Sequence, residues 1–88
     1  TWALELAPFH ITVNCVGPGP IETELFRKAN PAESEKTKAI LRGIPMKRMG
    51  KPEEVASLIA FLSSPEASFI TGQTVYICGG MTVGLGGV

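Results

Sequence analysis

The stretch ITVNCVGPGP, residues 11–20, decides the fold. Its first six residues are β-branched or largely apolar, which is typical of a strand covered on both faces, as the strands of a parallel sheet are. The two glycines and two prolines that follow permit unusual backbone dihedrals and remove ladder donors, so the strand is predicted to end at Val16. A ligand could lie close against the backbone of such a loop.

A second strand is predicted over QTVYIC, residues 73–78, because it is β-branched and ends at two glycines. Between the strands, the sequence KPEE at residues 51–54 opens a helix whose two glutamates face the positive end of the helix dipole. The apolar stripe of this helix repeats at helical spacing and comprises Val55, Leu58, Ile59 and Leu62.

Strand, helix and strand in this order form a βαβ unit, which nearly always has a right-handed crossover and buries both faces of its sheet. In such sheets, ligands bind beyond the carboxyl ends of the strands. The rule indicates residues 16–23 as a candidate binding segment.

Residues 1–6 read as the interior of a helix with no capping residue before it, and this helix is predicted to end near Ala7 because Pro8 disfavours helix in the residue before it. Since the chain starts inside a helix and not at a methionine, we expect the true start of the protein to lie upstream of Thr1. The chain is therefore interpreted as a fragment.

A further helix is predicted to start at Asn30 as the N-cap, with Pro31 at the first position, and to end before Gly43. Its apolar stripe is thin, so little packing energy holds it down and mobility is expected. Earlier in the chain, Thr23 is predicted to cap a short turn through Leu25 and Phe26.

Composition excludes several classes of protein. Eight Lys plus Arg balance eight Asp plus Glu, which gives no electrostatic signature of nucleic-acid or anionic-membrane binding. No apolar run approaches the roughly 20 residues that a membrane helix needs, so a cytoplasmic location is expected. Cys15 and Cys78 lack paired spacing, which favours two buried thiols over a metal or redox site.

Taken together, the segments resemble the classical short-chain dehydrogenase/reductase family, and the match runs over nearly the whole chain. The matching pieces are ALELAP at residues 3–8, ITVN at 11–14, Pro18 and Gly19 followed by Thr23, PEEVA at 52–56, TGQ at 71–73, and Gly79 with Gly80. Each piece is weak alone, and their common order and spacing make the signal specific.

The resemblance implies an α/β fold in which residues 1–88 form the C-terminal third of one NAD(P)-binding domain. The two strands would be the last two of a Rossmann-type, doubly wound parallel sheet. The implied cofactor is NAD or NADP, and the implied reaction interconverts an alcohol and a ketone or aldehyde.

Four residues of the loop are implied to bind the cofactor. Pro18 and Gly19 would line a face of the nicotinamide ring, and Ile21 would bond the carboxamide through its backbone. Thr23 would reach the carboxamide or the diphosphate through its hydroxyl, and helix capping is the structural alternative for this residue.

Residues 24–50 would form the lid over the substrate, which must open at little cost. Its apolar residues fit either a moderately apolar substrate or the lid's own core, and they are Leu25, Phe26, Ile40, Leu41 and Met46. Arg48 matches a position that is commonly arginine, where we expect a structural salt bridge. Cys78 departs from the family, which often has aspartate there, and this change is expected to alter a local hydrogen bond or a subunit contact.

No catalytic residue is expected in this chain, because the family's catalytic asparagine, serine, tyrosine and lysine would all lie upstream of Thr1. The resemblance also implies a homotetramer, with the last strand and the apolar tail at residues 81–88 in one interface. The alternative hypothesis is a non-catalytic oligomerisation or interaction module that associates through residues 73–78 and this tail.

Overall fold

The computed structural model describes residues 1–84, which fold into an α/β unit around a small parallel sheet. The elements follow the order helix, strand, three helices and strand. Their bounds are α1 Trp2–Leu6, β1 Cys15–Pro18, α2 Glu24–Ala29, α3 Glu35–Arg42, α4 Pro52–Leu62 and β2 Thr74–Ile77, with short 3-10 helices at Ala7–Phe9 and Pro65–Ala67.

Strands β1 and β2 pair in parallel, as predicted, with Cys15 opposite Thr74 and Pro18 opposite Ile77. The predicted end of the first strand at Val16 is wrong, because the pairing continues through Gly17 and Pro18. Proline is tolerated there because every second residue of a strand donates to a given neighbour. The donors at the two ends of this ladder are the amides of Cys15 and Gly19, so the donor that Pro18 lacks is not needed.

Residues 11–14, predicted as the start of the strand, lie outside the ladder. The side chain of Asn14 takes the place of ladder bonds: its Nδ2 donates to the carbonyl of Ile70 at 2.9 Å, and its Oδ1 accepts from the amide of Gln73 at 3.0 Å. One amide side chain therefore holds the entry of β1 against the entry of β2.

The first helix ends at Leu6 with Ala7 as its C-cap, which agrees with the predicted end near Ala7, but its start differs from the prediction. Thr1 caps α1, since its hydroxyl accepts from the amide of Leu4 at 3.3 Å, so the prediction of an uncapped helix interior is wrong. The chain also continues past Pro8 as a 3-10 helix, which proline permits at its first positions, and turns at His10 with φ of 60°.

The predicted N-cap at Asn30 is also wrong. Asn30 ends α2, because both its amide and its side-chain Nδ2 donate to the carbonyl of Phe26. The N-cap of α3 is Ser34, whose hydroxyl accepts from the amide of Thr37 at 3.2 Å, and Gly43 ends the helix as predicted. Two residue types suited to capping occur four positions apart, and the turn at Pro31 selects the second.

Helix α4 begins at Pro52 as predicted and packs against β1. Three residues of its predicted stripe, Val55, Leu58 and Leu62, are partly buried, whereas Ile59 is exposed. On the other face of the sheet, Tyr76 is 60% exposed, so residues 1–84 leave that face uncovered. The expectation that both faces are buried therefore does not hold for these residues by themselves.

Two sequence-based expectations concern the ends and surfaces of the chain. Met81 and Val83 of the apolar tail are exposed, and Leu85 and Val88 lie outside the described residues. Among residues 1–84, no helix combines the length and apolar character that a membrane span requires.

The chain buries little of its own apolar surface. Its buried apolar side chains within residues 1–84 are Ile44, Met49 and Ala67, and its accessible surface is 6463 Å². A compact protein of 9.3 kDa would expose about 5000 Å². The radius of gyration of 16.1 Å likewise exceeds the value of about 12 Å for a compact chain of this length.

We therefore predict that the isolated 88-residue chain is aggregated or partly unfolded. Calorimetry combined with sedimentation analysis checks this expectation, which requires a broad transition or self-association. A sharp, cooperative melt of a monomer would contradict it.

Candidate functional site

The carboxyl ends of β1 and β2 lie at the same edge of the sheet, and the loops that leave them are in contact. The amide of Gly19 donates to the carbonyl of Ile77 at 3.0 Å. A Cβ atom at position 19 would lie 2.8 Å from Cβ of Cys78, so a larger residue would force the two loops apart. One reason for glycine at this position is therefore the neighbouring strand end.

Beyond Gly19, an isolated parallel bridge joins Ile21 to Gly50. The amide of Gly50 donates to the carbonyl of Pro20 at 3.0 Å, and the amide of Glu22 donates to the carbonyl of Gly50 at 2.8 Å. In a parallel bridge of this type, the central residue turns its own amide and carbonyl to the opposite side. Ile21 therefore presents its backbone away from Gly50, and within residues 1–84 its amide meets no protein acceptor.

Thr23 caps α2, as the sequence predicts. Its hydroxyl accepts a hydrogen bond from the amide of Phe26 at 3.1 Å, and the residue is exposed. A hydroxyl carries one donor as well as two acceptor lone pairs, so capping leaves the Thr23 proton available to another group. The capping role and a ligand-binding role are therefore compatible.

The segment between the two ends of the bridge carries α2 and α3. Glu22 at its start forms an ion pair with Arg27. In its second half, Thr37 is 2% exposed, and its hydroxyl donates to the carbonyl of Pro31 at 3.1 Å while accepting from the hydroxyl of Ser34. A polar cluster thus organises α3, and nothing in the sequence pattern marked Thr37 for this role.

The five predicted lid residues do not converge on one pocket. Leu25 is 80% exposed and Met46 is 62% exposed, whereas Phe26, Ile40 and Leu41 are partly buried. The residue that the sequence analysis overlooked is Ile44, which is 1% exposed and forms the apolar anchor of this segment.

Ile44 anchors the segment on the turn that follows β2. Gly79 has φ of 63°, and a Cβ atom there would approach Cγ2 of Ile44 to 2.8 Å. The amide of Met46 donates to the carbonyl of Gly79 at 3.0 Å. Residues 44–46 therefore pack against the glycine turn instead of projecting away from the sheet.

A cavity of ≈ 170 Å³ lies where these pieces meet. Its walls come from the loop after β1, the exit of the lid segment, the start of α4 and the end of β2. The lining residues are Pro20, Ile44, Met46, Arg48, Gly50, Glu54, Ile77, Cys78 and Gly79.

Arg48 forms the salt bridge that the sequence predicts, and its partner is Glu54. Nη1 and Nη2 donate to the two carboxylate oxygens at 2.8 and 2.9 Å, and Nη1 also donates to the carbonyl of Met49 at 3.1 Å. Hydrogen bonds from Arg48 and then from the amide of Lys51 lower the pKa of Glu54 to about 2. The sequence alone marked Glu54 as a residue of the helix start and not as this partner.

Cys78 lies in a turn whose amides favour an anion. The amide of Thr82, followed by those of Gly80 and Met81, lowers the pKa of the Cys78 thiol by donating to its sulfur, against the opposing effect of burial. A carboxylate at this position would accept the same donors, which is a physical reason for the aspartate that the family often has there. Cys15 is exposed, so the prediction of two buried thiols is wrong for that residue.

Within the described part of the chain, no group of three or more His, Cys, Asp or Glu is placed to hold a metal ion. The candidate site therefore consists of backbone groups, one free hydroxyl donor and the ion pair of Arg48 with Glu54.

The lowered pKa of Glu54 predicts an acid-sensitive contribution to stability. The pKa of the Glu54 carboxyl is near 4.5 in the unfolded chain and about 2 in the folded one. Its contribution to folding stability is therefore complete above pH 4.5 and is lost as the pH falls toward 2. In the full-length protein, Glu54→Gln should flatten the decline of the melting temperature in this window. Glu53→Gln, which removes a neighbouring glutamate of the same helix turn, should leave the decline unchanged; equal effects of the two variants would contradict the prediction.

Comparison with known proteins agrees with this arrangement. The family model described as enoyl-(acyl carrier protein) reductase matches residues 1–82. A 3-oxoacyl-[acyl-carrier-protein] reductase of Thermotoga maritima is 49% identical over 83 residues, which are 94% of this chain and 32% of that protein. The NADPH-dependent reductase BacG of Bacillus subtilis is 46% identical over 86 residues, with 89% of this chain and 33% of that protein covered.

Among solved structures, a short-chain dehydrogenase/reductase from Serratia marcescens superposes with a TM-score of 0.81 at 40% identity, over 92% of this chain and 31% of that one. The chain thus spans about a third of the length of the relatives it matches. These matches and the parallel α/β arrangement confirm the family expected from the sequence. The chain belongs to the short-chain dehydrogenase/reductase family and has a Rossmann-type α/β fold.

Proposed function

We propose that the whole protein is an NAD(P)-dependent oxidoreductase that interconverts an alcohol and a ketone or aldehyde, and that this chain is the C-terminal third of its single domain. The observation that carries the proposal is the backbone of Ile21, which the bridge to Gly50 holds at the carboxyl edge of the sheet with its amide free of protein acceptors among residues 1–84. Ligands of open α/β sheets bind at this edge.

A nicotinamide carboxamide suits this backbone. The carboxamide has an acceptor oxygen and a donor nitrogen. The amide of Ile21 would donate to the oxygen, and the carbonyl of Ile21, which accepts from the amide of Thr23 at 3.1 Å, has a second lone pair for the nitrogen. Pro18 and Gly19 would lie along the ring, and the free proton of Thr23 would reach the carboxamide or the diphosphate. Relatives of the family support the cofactor, since BacG is an NADPH-dependent reductase.

The chemistry of the proposed reaction is divided between this chain and the rest of the protein. The bound cofactor would supply or accept the hydride. The residues described here would orient the nicotinamide and exclude water. Proton transfer to the substrate oxygen would belong to the asparagine, serine, tyrosine and lysine expected before Thr1, so the isolated chain should be inactive.

Residues 24–50 would serve as the substrate lid. The segment is held at two places: the bridge of Ile21 with Gly50 joins its ends, and Ile44 packs on Gly79. Helix α2 presents Leu25 to solvent. The proposed moving part is therefore α2 with α3, and residues 44–50 form its base. A small alcohol or carbonyl compound would bind beneath it, with Leu25, Phe26, Ile40, Leu41 and Met46 as the lid's apolar residues.

Assembly as a homotetramer, which rests on the family resemblance alone, and a cytoplasmic location complete the proposal. The exposed side chain of Tyr76 on β2 is compatible with a subunit contact along that strand. The same exposure would also serve the alternative, a non-catalytic oligomerisation or interaction module.

The first experiment is an assay of the full-length protein with NADH and with NADPH. We expect oxidation of one of the two cofactors by a panel of small ketones and aldehydes, and reduction of the oxidised cofactor by the matching alcohols. Absence of both cofactor binding and turnover in a folded protein would contradict the proposal and favour the interaction module.

Three variants of Thr23 separate its two roles in the full-length protein. Thr23→Ala should raise the cofactor's Kd about five- to tenfold through the lost hydrogen bond and destabilise α2 by about 1 kcal/mol through the lost cap. Thr23→Ser should stay close to the wild type. Thr23→Asn should keep the cap and still weaken cofactor binding.

Fluorescence titration with reduced cofactor and thermal melting measure the two effects. If Thr23→Ala lowered only the melting temperature and left the Kd unchanged, Thr23 would be a helix cap and nothing more.

A further inference from the structure

Glu54 has three hydrogen-bond donors on its carboxylate. Two come from the guanidinium of Arg48 at 2.8 and 2.9 Å, and the third is the amide of Lys51 at 2.9 Å. A bidentate arginine contact fixes the relative orientation of its two partners as well as their distance. Since Lys51 is the N-cap of α4, the carboxylate ties Arg48 to the first turn of that helix.

Arg48 also holds the backbone beside it. Its Nη1 donates to the carbonyl of Met49 at 3.1 Å, and Met49 is itself buried. The Arg48 guanidinium therefore holds the carbonyl of the peptide that joins Met49 to Gly50, next to a buried side chain. The position of this peptide relative to α4 depends on the Arg48 guanidinium.

The backbone of Gly50 is hydrogen-bonded to the loop after β1, so the position of Gly50 affects the position of that loop. Its amide and carbonyl are the two groups that bond Pro20 and Glu22 on either side of Ile21. A Cβ atom at position 50 would lie 2.9 Å from Cδ1 of Ile21, so glycine at this position leaves room for the Ile21 side chain beside the bridge. A shift of Gly50 would therefore move the backbone of Ile21.

We propose that Glu54, acting through Arg48 and Gly50, is a positioning residue for the cofactor pocket, which holds the backbone of Ile21 where it meets the nicotinamide carboxamide. This inference rests on the proposed function. Glu54 does not touch the cofactor in this scheme; it acts through one ion pair, one peptide carbonyl and one parallel bridge. Stabilisation of α4 alone would need only the hydrogen bond from the amide of Lys51 to the Glu54 carboxylate. The additional contact with Arg48 gives Glu54 the positioning role.

Glu53 is a matched control for Glu54. It lies one position earlier in the first turn of α4, carries the same charge near the same helix end, and makes no ion pair among the described residues. A substitution there removes the favourable charge near the helix dipole and leaves the connection from Arg48 to Ile21 intact.

The test compares Glu54→Gln, Glu53→Gln and Arg48→Lys with the wild type in the full-length protein, by titration with NADPH and NADH and by steady-state kinetics. Glu54→Gln should raise the cofactor's Kd and KM about three- to tenfold, with a smaller change in kcat at saturating cofactor. Glu53→Gln should leave all three unchanged. Arg48→Lys keeps the charge but loses the bidentate geometry, and it should shift affinity in the same direction as Glu54→Gln.

The outcomes separate this inference from the function it rests on. Cofactor binding by the wild type with equal affinities for Glu54→Gln and Glu53→Gln would overturn the positioning role alone, whatever the melting temperatures. If Glu54→Gln does not fold, an unchanged affinity of Arg48→Lys would overturn it in the same way. Failure of the folded wild type to bind either cofactor would overturn the proposed function together with this inference.

Discussion

The parallel pairing of β1 with β2 is the contact that brings the distant parts of this chain together. Asn14 and Gln73 are 59 positions apart, yet one side chain and a short ladder join them. Once this pairing is formed, the carboxyl ends of both strands share an edge, and the loop that begins at Gly19 meets the turn at Gly79. Every feature of the candidate site is placed relative to that edge.

The pairing of β1 with β2 closes one long loop of the chain, and the bridge between Ile21 and Gly50 closes a shorter loop within it. The bridge turns residues 22–49 into a loop with joined ends, and this loop carries α2 and α3. Joining the ends of such a loop costs conformational entropy that grows only slowly with the length of the loop. In the proposed scheme, the bridge would hold the cofactor edge while the segment between its ends would serve as the lid, and these are opposite requirements within one short stretch of chain.

Near the bridge between Ile21 and Gly50, the effect of the ion pair of Arg48 with Glu54 depends on its geometry more than on its burial. Arg48 and Glu54 are both largely accessible, and an exposed ion pair is normally worth little to stability. In the proposed scheme, the ion pair matters because its hydrogen bonds are directional. The planar guanidinium of Arg48 donates to two carboxylate oxygens and a backbone carbonyl at the same time. Cys78 shows the same principle in another form, because turn amides lower the pKa of its thiol.

The amino-acid sequence by itself determined the elements with strong local signals. The start of α4 at Pro52, most of its apolar stripe, the existence of the two strands, the cap at Thr23 and the salt bridge at Arg48 follow from periodicity, residue type or family pattern, because these act over a few neighbouring residues. The bounds of β1 do not follow from them. Where two caps competed, as at Asn30 and Ser34, local rules could not choose.

Only the tertiary structure decided which distant groups meet. The burial of Thr37 and Ile44, the choice of Glu54 as the partner of Arg48, and the orientation of the Ile21 backbone depend on chain segments that are brought together by the sheet and the bridge. No spacing rule encodes such contacts, since their energy exists only after the loops have closed.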